Sequence, residues 1–181
     1  TDTVLLAVKG GTLATQDIIF DGGAVLDTDF NNSGKVWNSP LIYVDGSYTM
    51  GSGTAWSAAQ QQTICIFMEM QWINSSVIHT GEFFHGPFEI VEKDVPFILL
   101  MNDGKTRPID SRALDFLQRF DALTTVVDAK DYGLANAASS DVITYFDPLM
   151  HTAVFRVFAE ELSYIRQHPL TKRRYMWKIE Y

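Results

Sequence analysis

From Leu41 onward, short strand-like segments alternate with longer helix-like segments, and this alternation restricts the fold more than any other feature of the sequence. It is typical of a parallel sheet with helices packed on its faces. We therefore predict an α/β fold, a three-layer αβα sandwich with a mainly parallel sheet. The predicted strands cover residues 41–44, 48–50, 95–102 and 123–128, and the predicted helices cover residues 54–72, 108–120 and 148–167.

The last predicted helix carries an apolar stripe. Phe155, Phe158, Leu162 and Ile165 recur at helical spacing, which predicts one helix face turned toward a core. The helix should end before Pro169, because proline disfavours helical geometry in the residue that precedes it.

The chain divides into three parts by composition. Residues 1–45 are rich in Gly, Asp and Asn, and their short apolar runs at 4–8 and 18–20 predict short strands joined by turns, an irregular N-terminal segment without candidate chemistry. Residues 46–167 form the predicted α/β domain. Residues 168–181 form a tail with concentrated basic charge, which fits either a tail that pairs with acidic surface or an arm that closes over an anionic ligand.

Charge and hydropathy exclude several classes of protein. The formal net charge of -8 argues against non-specific nucleic-acid binding, which requires positive charge to neutralise phosphates. No segment has the roughly 20 apolar residues that a membrane span needs. Cys65 is the one cysteine, so no disulfide can form within the chain, and this favours a reducing compartment. We expect a cytoplasmic protein.

Glu69 is the first candidate for chemistry. In an α-helix its neighbours three and four residues away are Cys65, Ile66, Trp72 and Ile73, all of them apolar. A carboxylate in apolar surroundings is pushed toward its neutral form, which suits a general acid or base near neutral pH. A buried glutamate that serves only the structure fits the same pattern, so both interpretations stay open.

His85 is the second candidate. Gly86 permits a sharp turn and Pro87 fits the first position of a helix, so His85 should lie just before a helix N-terminus. The partial positive charge there favours the neutral imidazole. A lone histidine is more often structural than catalytic, but this one is rigidly presented.

The turn Ser52-Gly53-Thr54 follows a predicted strand and precedes a predicted helix, where backbone N–H groups and hydroxyls can bind a phosphate. The signal is weak, because the sequence lacks the nucleotide-binding loop and the dinucleotide fingerprint. His79, His151 and His168 show no metal-site spacing to Cys, Asp or Glu, and we expect no metal and no cofactor.

The segment from Met68 to Glu92, MEMQWINSSVIHTGEFFHGPFEIVE, resembles the sugar isomerase (SIS) family of phosphosugar-binding domains. Its second half matches the family's Gly-Glu-x-x-His-Gly-Pro motif, and a strand that opens with Val-Pro-Phe follows. In the isomerase domain of glucosamine-6-phosphate synthase and in the fructoselysine-6-phosphate deglycases, a helix glutamate and the motif's histidine have the same separation as Glu69 and His85. The resemblance covers residues 48–181 and implies a flavodoxin-like SIS domain.

The resemblance also implies roles for particular residues. Glu69 and His85 take the catalytic roles, and the histidine of related enzymes comes from the neighbouring subunit, so we expect a homodimer with shared sites. The tail is similar to the C-terminus of deglycases that split phosphorylated Amadori products. We predict that the substrate is bound by Ser52, Gly53, Thr54, Arg174 and Tyr181.

The chain departs from the family in one respect. Such family members carry two SIS repeats, and this sequence resembles only the second. The Ser-x-Ser-Gly-x-Thr phosphate loop of the first repeat has no match in residues 1–45.

The resemblance implies a deglycase that releases an aldose 6-phosphate and an amine from fructoselysine or glucoselysine 6-phosphate. An aldose–ketose isomerase and a non-catalytic phosphosugar-binding domain are the alternatives.

Overall fold

The computed structural model describes residues 18–20, 24–26 and 47–180. Strands β1 (Ile18–Phe20) and β2 (Ala24–Leu26) pair antiparallel, with Ile18 opposite Leu26. The strand predicted at 18–20 is therefore confirmed. The strands predicted at 4–8 and 41–44 lie outside the described residues.

The larger sheet has four parallel strands, β3 (Ser47–Gly51), β4 (Ser75–His79), β5 (Pro96–Met101) and β6 (Leu123–Asp128). Their order across the sheet is β4-β3-β5-β6. The inner strand β5 is buried along its whole length, as expected for a strand covered on both faces. The strands begin at one edge of the sheet, called here the amino edge, and end at the other, the carboxyl edge.

Helices cover both faces, which confirms the predicted three-layer α/β architecture. The α-helices are α1 (Trp56–Gln61), α2 (Arg107–Arg119) and α3 (Asp147–Ile165). A π-helix (Gln62–Met70) continues α1. Short 3-10 helices are Gly53–Ala55, Thr80–His85, Pro87–Ile90, Ala129–Tyr132, Leu134–Asn136 and Ile143–Phe146.

Two apolar clusters lie on opposite faces of the sheet because successive side chains of β5 point to opposite sides. Ile98 and Leu100 pack under the π-helix and α3, with Phe155 and Leu162 of the predicted stripe buried among them. Phe97 and Leu99 pack on the other face under α2 and the first turns after β4. The predicted stripe on the last helix is thus confirmed.

The segment between β3 and β4 is helical over nearly the predicted range, but it is not an α-helix throughout. Residues 62–70 form a π-helix, whose backbone bonds span five residues instead of four. The chain leaves β3 at the carboxyl edge and returns to the amino edge, where β4 begins. Glu69 lies near the end of this return.

Candidate active site

Glu69 lies in a pocket at the amino edge of the sheet. The pocket has a volume of about 470 Å³ and lies between the end of the π-helix, the start of β4 and the tail. Its lining residues are Met68, Glu69, Trp72, Ile73, Asn74, Ser75, Arg173, Arg174, Tyr175 and Met176. The structure thus brings two predicted site residues, Glu69 and Arg174, to one pocket.

The surroundings of Glu69 are only in part the apolar ones predicted. Its side chain is 28% exposed, and its Oε1 lies 3.0 Å from Nη2 of Arg173. Two of the predicted apolar neighbours, Trp72 and Ile73, line the same pocket, but Arg173, which comes from a distant part of the sequence, was not predicted.

The tail forms one wall of the pocket by stacking on Trp72. Arg174 lies over the indole ring at 4.2 Å from its centroid, and Lys172 lies at 5.1 Å. His168 meets the same ring edge-on at 4.4 Å. The tail therefore pairs with an acidic residue and also borders a candidate ligand site. Pairing with acidic surface and closing over a ligand, the two roles predicted for the basic tail, each describe part of the arrangement.

His168 anchors the start of the tail. Its backbone carbonyl accepts a hydrogen bond of 2.8 Å from Nε2 of Gln71, and its side chain is buried. Burial lowers the pKa of His168 to about 4, and the nearby charges of Arg166, Lys172 and Arg174 add to this effect. The imidazole is therefore neutral at neutral pH.

His85 lies on the other face of the sheet from Glu69. Phe67, two residues before Glu69, is buried in the cluster under the π-helix, whereas Phe83, two residues before His85, is buried in the opposite cluster. His85 itself is exposed at the end of its 3-10 helix, followed by Gly86 and by Pro87 at the start of the next turn, as predicted. One chain therefore does not bring Glu69 and His85 together.

The predicted Ser52-Gly53-Thr54 turn lies at the carboxyl edge, directly after β3. Ser52 is fully buried, and its hydroxyl donates to Oδ1 of Asp110 at 2.6 Å. The Thr54 hydroxyl donates to Asp147 at 3.1 Å. Gly53 has a φ of 54°, and a side chain there would collide with Thr106. Substrate binding by this turn stays a prediction, and the two hydroxyls already serve the protein's own structure.

Asn102 completes the network at the carboxyl edge. Its Nδ2 donates to Oδ2 of Asp110 at 2.6 Å and to the Ser52 hydroxyl oxygen at 3.2 Å. Burial raises the pKa of Asp110, partly offset by these hydrogen bonds, and burial likewise raises the pKa of Asp147. These polar groups bond mainly to one another.

Comparison with known proteins gives the chain its family. It is 49% identical over 134 residues to a fructosamine deglycase of Bacillus subtilis, a match that covers 74% of this chain and 40% of that protein. A crystal structure of a candidate phosphosugar isomerase, also from Bacillus subtilis, matches 75% of this chain and 41% of its own with a TM-score of 0.72 and 49% identity. The matched part of the chain belongs to the sugar isomerase (SIS) family.

A second relative is more distant. The SIS domain is 32% identical over 129 residues to a fructoselysine 6-phosphate deglycase of Escherichia coli, which covers 71% of this chain and 36% of that protein. The chain thus spans about two-fifths of the length of these relatives. No family model matches the chain.

Sequence reasoning missed two residues that shape the pocket of the SIS domain, Arg173 and Trp72. The concentrated basic charge of the tail was a signal for Arg173, but it could not identify which cation meets Glu69. Trp72 was assigned to the helix, whereas it has a left-handed φ of 55° beyond the helix end. Tyr181, the remaining predicted binding residue, lies outside the described residues.

Two negative findings concern residues 18–20, 24–26 and 47–180. Within these ranges, no helix is long and apolar enough to cross a membrane. Nor do they group three His, Cys, Asp or Glu side chains in a way that could hold a metal ion.

Proposed function

We propose that this SIS domain takes part in cleaving a phosphorylated Amadori product into an aldose 6-phosphate and a free amine. The observation that carries the proposal is the placement of a carboxylate, Glu69, in an open pocket that the exposed Arg174 also lines. A carboxylate suits the proton transfer, and the exposed guanidinium of Arg174 suits a phosphorylated, anionic substrate. The two deglycases named above, which are similar to this chain, support the choice of reaction.

The reaction requires one proton to move between neighbouring carbons. In the open-chain ketoamine, Glu69 takes a proton from C1, which carries the amine, and the carbonyl oxygen at C2 becomes the hydroxyl of an enaminol. A proton then returns to C2 while the nitrogen loses its own, which gives an imine at C1. Water adds to the imine and releases the amine and the aldose phosphate. One carboxylate can serve both carbon atoms.

We assign the second acid–base role, on oxygen or nitrogen, to His85 of another copy of the chain. Glu69 and His85 lie on opposite faces of the sheet, so a shared site requires two subunits. A symmetric homodimer would form two such sites, each with Glu69 from one subunit and His85 from the other. We further propose that this homodimer works in the cytoplasm.

A direct assay tests the reaction. The protein is incubated separately with fructoselysine 6-phosphate, glucoselysine 6-phosphate and fructose 6-phosphate, and free lysine and aldose phosphates are quantified. We expect lysine release from one or both Amadori products, reduced by about 10²–10⁴-fold in Glu69→Gln. Glu160→Gln is the matched control, because Glu160 is exposed and pairs with Arg156 on the surface.

The other outcomes would contradict the deglycase. Interconversion of hexose phosphates without lysine release would identify an aldose–ketose isomerase. Binding of all three compounds without turnover, measured by calorimetry, would identify a phosphosugar-binding domain.

A further inference from the structure

Beyond Glu69 and His85, we propose that Arg173 is a positioning residue, which fixes the Glu69 carboxylate and thereby couples the tail to the catalytic base. The inference rests on the proposed function of Glu69. It concerns a contact between two segments that are far apart in the sequence, the π-helix and residues 168–180.

Arg173 is held in place by the tail itself. Its Nη1 donates to the backbone carbonyls of Leu170 at 2.5 Å and Lys172 at 3.0 Å. Only 9% of its side chain is exposed, in contrast to its neighbours Lys172 and Arg174, which are both exposed. A guanidinium fixed on one side by carbonyls presents its other nitrogen, Nη2, in a defined direction.

That nitrogen meets the carboxylate at one oxygen. Nη2 lies 3.0 Å from Oε1 of Glu69, which is hydrogen-bonding distance for a charge-assisted pair. Because Oε1 is engaged, Oε2 is the oxygen that exchanges the proton with substrate. A base that is fixed in this way spends less of its time in unproductive rotamers, and small errors in position are costly to catalysis.

The same contact ties down the tail. Residues 168–180 form turns and bends without a regular helix or strand, so their packing depends on side-chain contacts such as this ion pair and the stacking on Trp72. Loss of the Glu69 carboxylate should therefore loosen the tail, just as loss of Arg173 should misplace the carboxylate.

Kinetics separate positioning from direct substrate binding. We expect Arg173→Met to lower kcat by about 10–100-fold with little change in KM, and Arg173→Lys to recover part of the loss. In a Glu69→Gln background, Arg173→Met should lower the residual rate by less than about threefold, because the carboxylate it positions is already gone. Arg156→Met, which removes an exposed surface arginine, is the control.

A kinetic result of the opposite kind would overturn the inference. If Arg173→Met raises KM and leaves kcat unchanged, Arg173 binds substrate instead of positioning the base. If Arg173→Met leaves both constants unchanged in a protein whose turnover needs Glu69, the inference fails while the proposed function stands.

A second measurement does not depend on turnover. The tail contains trypsin sites at Lys172, Arg173, Arg174 and Lys178. We expect trypsin to cut the tail about five to ten times faster in Glu69→Gln than in the unsubstituted protein, and at an unchanged rate in Glu160→Gln. Equal tail cleavage in all three proteins would contradict the coupling. Faster cleavage in a protein that turns over no substrate would support the coupling and count against the proposed function.

Discussion

The two edges of the parallel sheet both carry polar residues, but these residues are used differently. At the carboxyl edge, Ser52, Asn102 and Asp110 are buried and bond to one another. At the amino edge, Glu69 and Arg174 line an open pocket. Ligands of open α/β sheets usually bind at the carboxyl edge. Here the buried polar network at that edge stabilises the fold, whereas the candidate pocket around Glu69 lies at the opposite edge.

After Glu69→Gln, substitution of His85 should produce the largest effect. We expect His85→Ala to lower kcat/KM for the Amadori product by about 10²–10³-fold, because a proton-transfer group is lost. The melting temperature should stay within about 1 °C, since exposed side chains contribute little to stability. Parallel kinetic and thermal measurements check this, and a large drop in melting temperature would instead assign His85 a structural role.

The carboxyl edge should respond in the opposite way, through stability. Asp110→Ala removes the acceptor for Ser52 and Asn102 and leaves buried donors unpaired. We expect a loss of about 2–4 kcal/mol in the free energy of unfolding, measured by urea denaturation. Asp115→Ala, at an exposed position of the same helix, is the control and should change little. If both variants have the same free energy of unfolding, the hydrogen bonds of Asp110 do not stabilise this edge.

We expect the stability of the protein to depend on pH through His168, which lies in the tail at the amino edge. The pKa of His168 falls from 6.5 to about 4 on folding because the ring is buried, so the unfolded chain binds a proton first as the pH drops. The contribution of neutral His168 to the free energy of unfolding is complete above pH 6.5 and is lost as the pH falls toward 4. It amounts to about 1–3 kcal/mol.

Replacement of His168 isolates this contribution. Stability is measured at several pH values for the unsubstituted protein and for His168→Gln, so that effects shared by both proteins, including those of Asp110 and Asp147, cancel. The difference between the two curves should change between pH 6.5 and 4. A constant difference over that range would show that His168 titrates alike in the folded and unfolded states.

Trp72→Phe should have the smallest effect. Phenylalanine keeps an aromatic ring beneath Arg174 and Lys172 but provides a weaker cation–π contact than the indole. We expect the free energy of unfolding to fall by about 0.5–1 kcal/mol. Trp56→Phe, which alters an aromatic contact with His79 away from the tail, is the comparison. Trypsin cleavage of the tail should accelerate only in Trp72→Phe.

The parts of the fold that depend on local pattern were predictable from the sequence. The β6 strand and the apolar stripe of α3 follow from residue type and spacing over a few positions. β4 was missed because it is short and contains Val77 and Ile78 among polar residues. The π-helix was missed because apolar and polar residues alternate similarly in α- and π-helices over a few turns.

The site was predictable only in part, for a physical reason. Glu69 and His85 stand out through their neighbours and through the SIS motif, which are local features. The contact between Glu69 and Arg173 joins distant segments, and no spacing rule reports it. The Ser52-Gly53-Thr54 turn suited a phosphate by sequence, but whether its hydroxyls were free depended on Asp110 and Asp147, which are also distant.

The central claim is that Glu69 of one subunit and His85 of another form one active site, and mixing two inactive variants tests it most directly. Glu69→Gln and His85→Ala proteins are unfolded together, refolded at equal concentration and assayed for lysine release. Random pairing in a symmetric dimer should restore about a quarter of the unsubstituted activity, because each mixed dimer holds one intact site. A mixture that forms mixed dimers but stays as inactive as its parents would contradict the shared site.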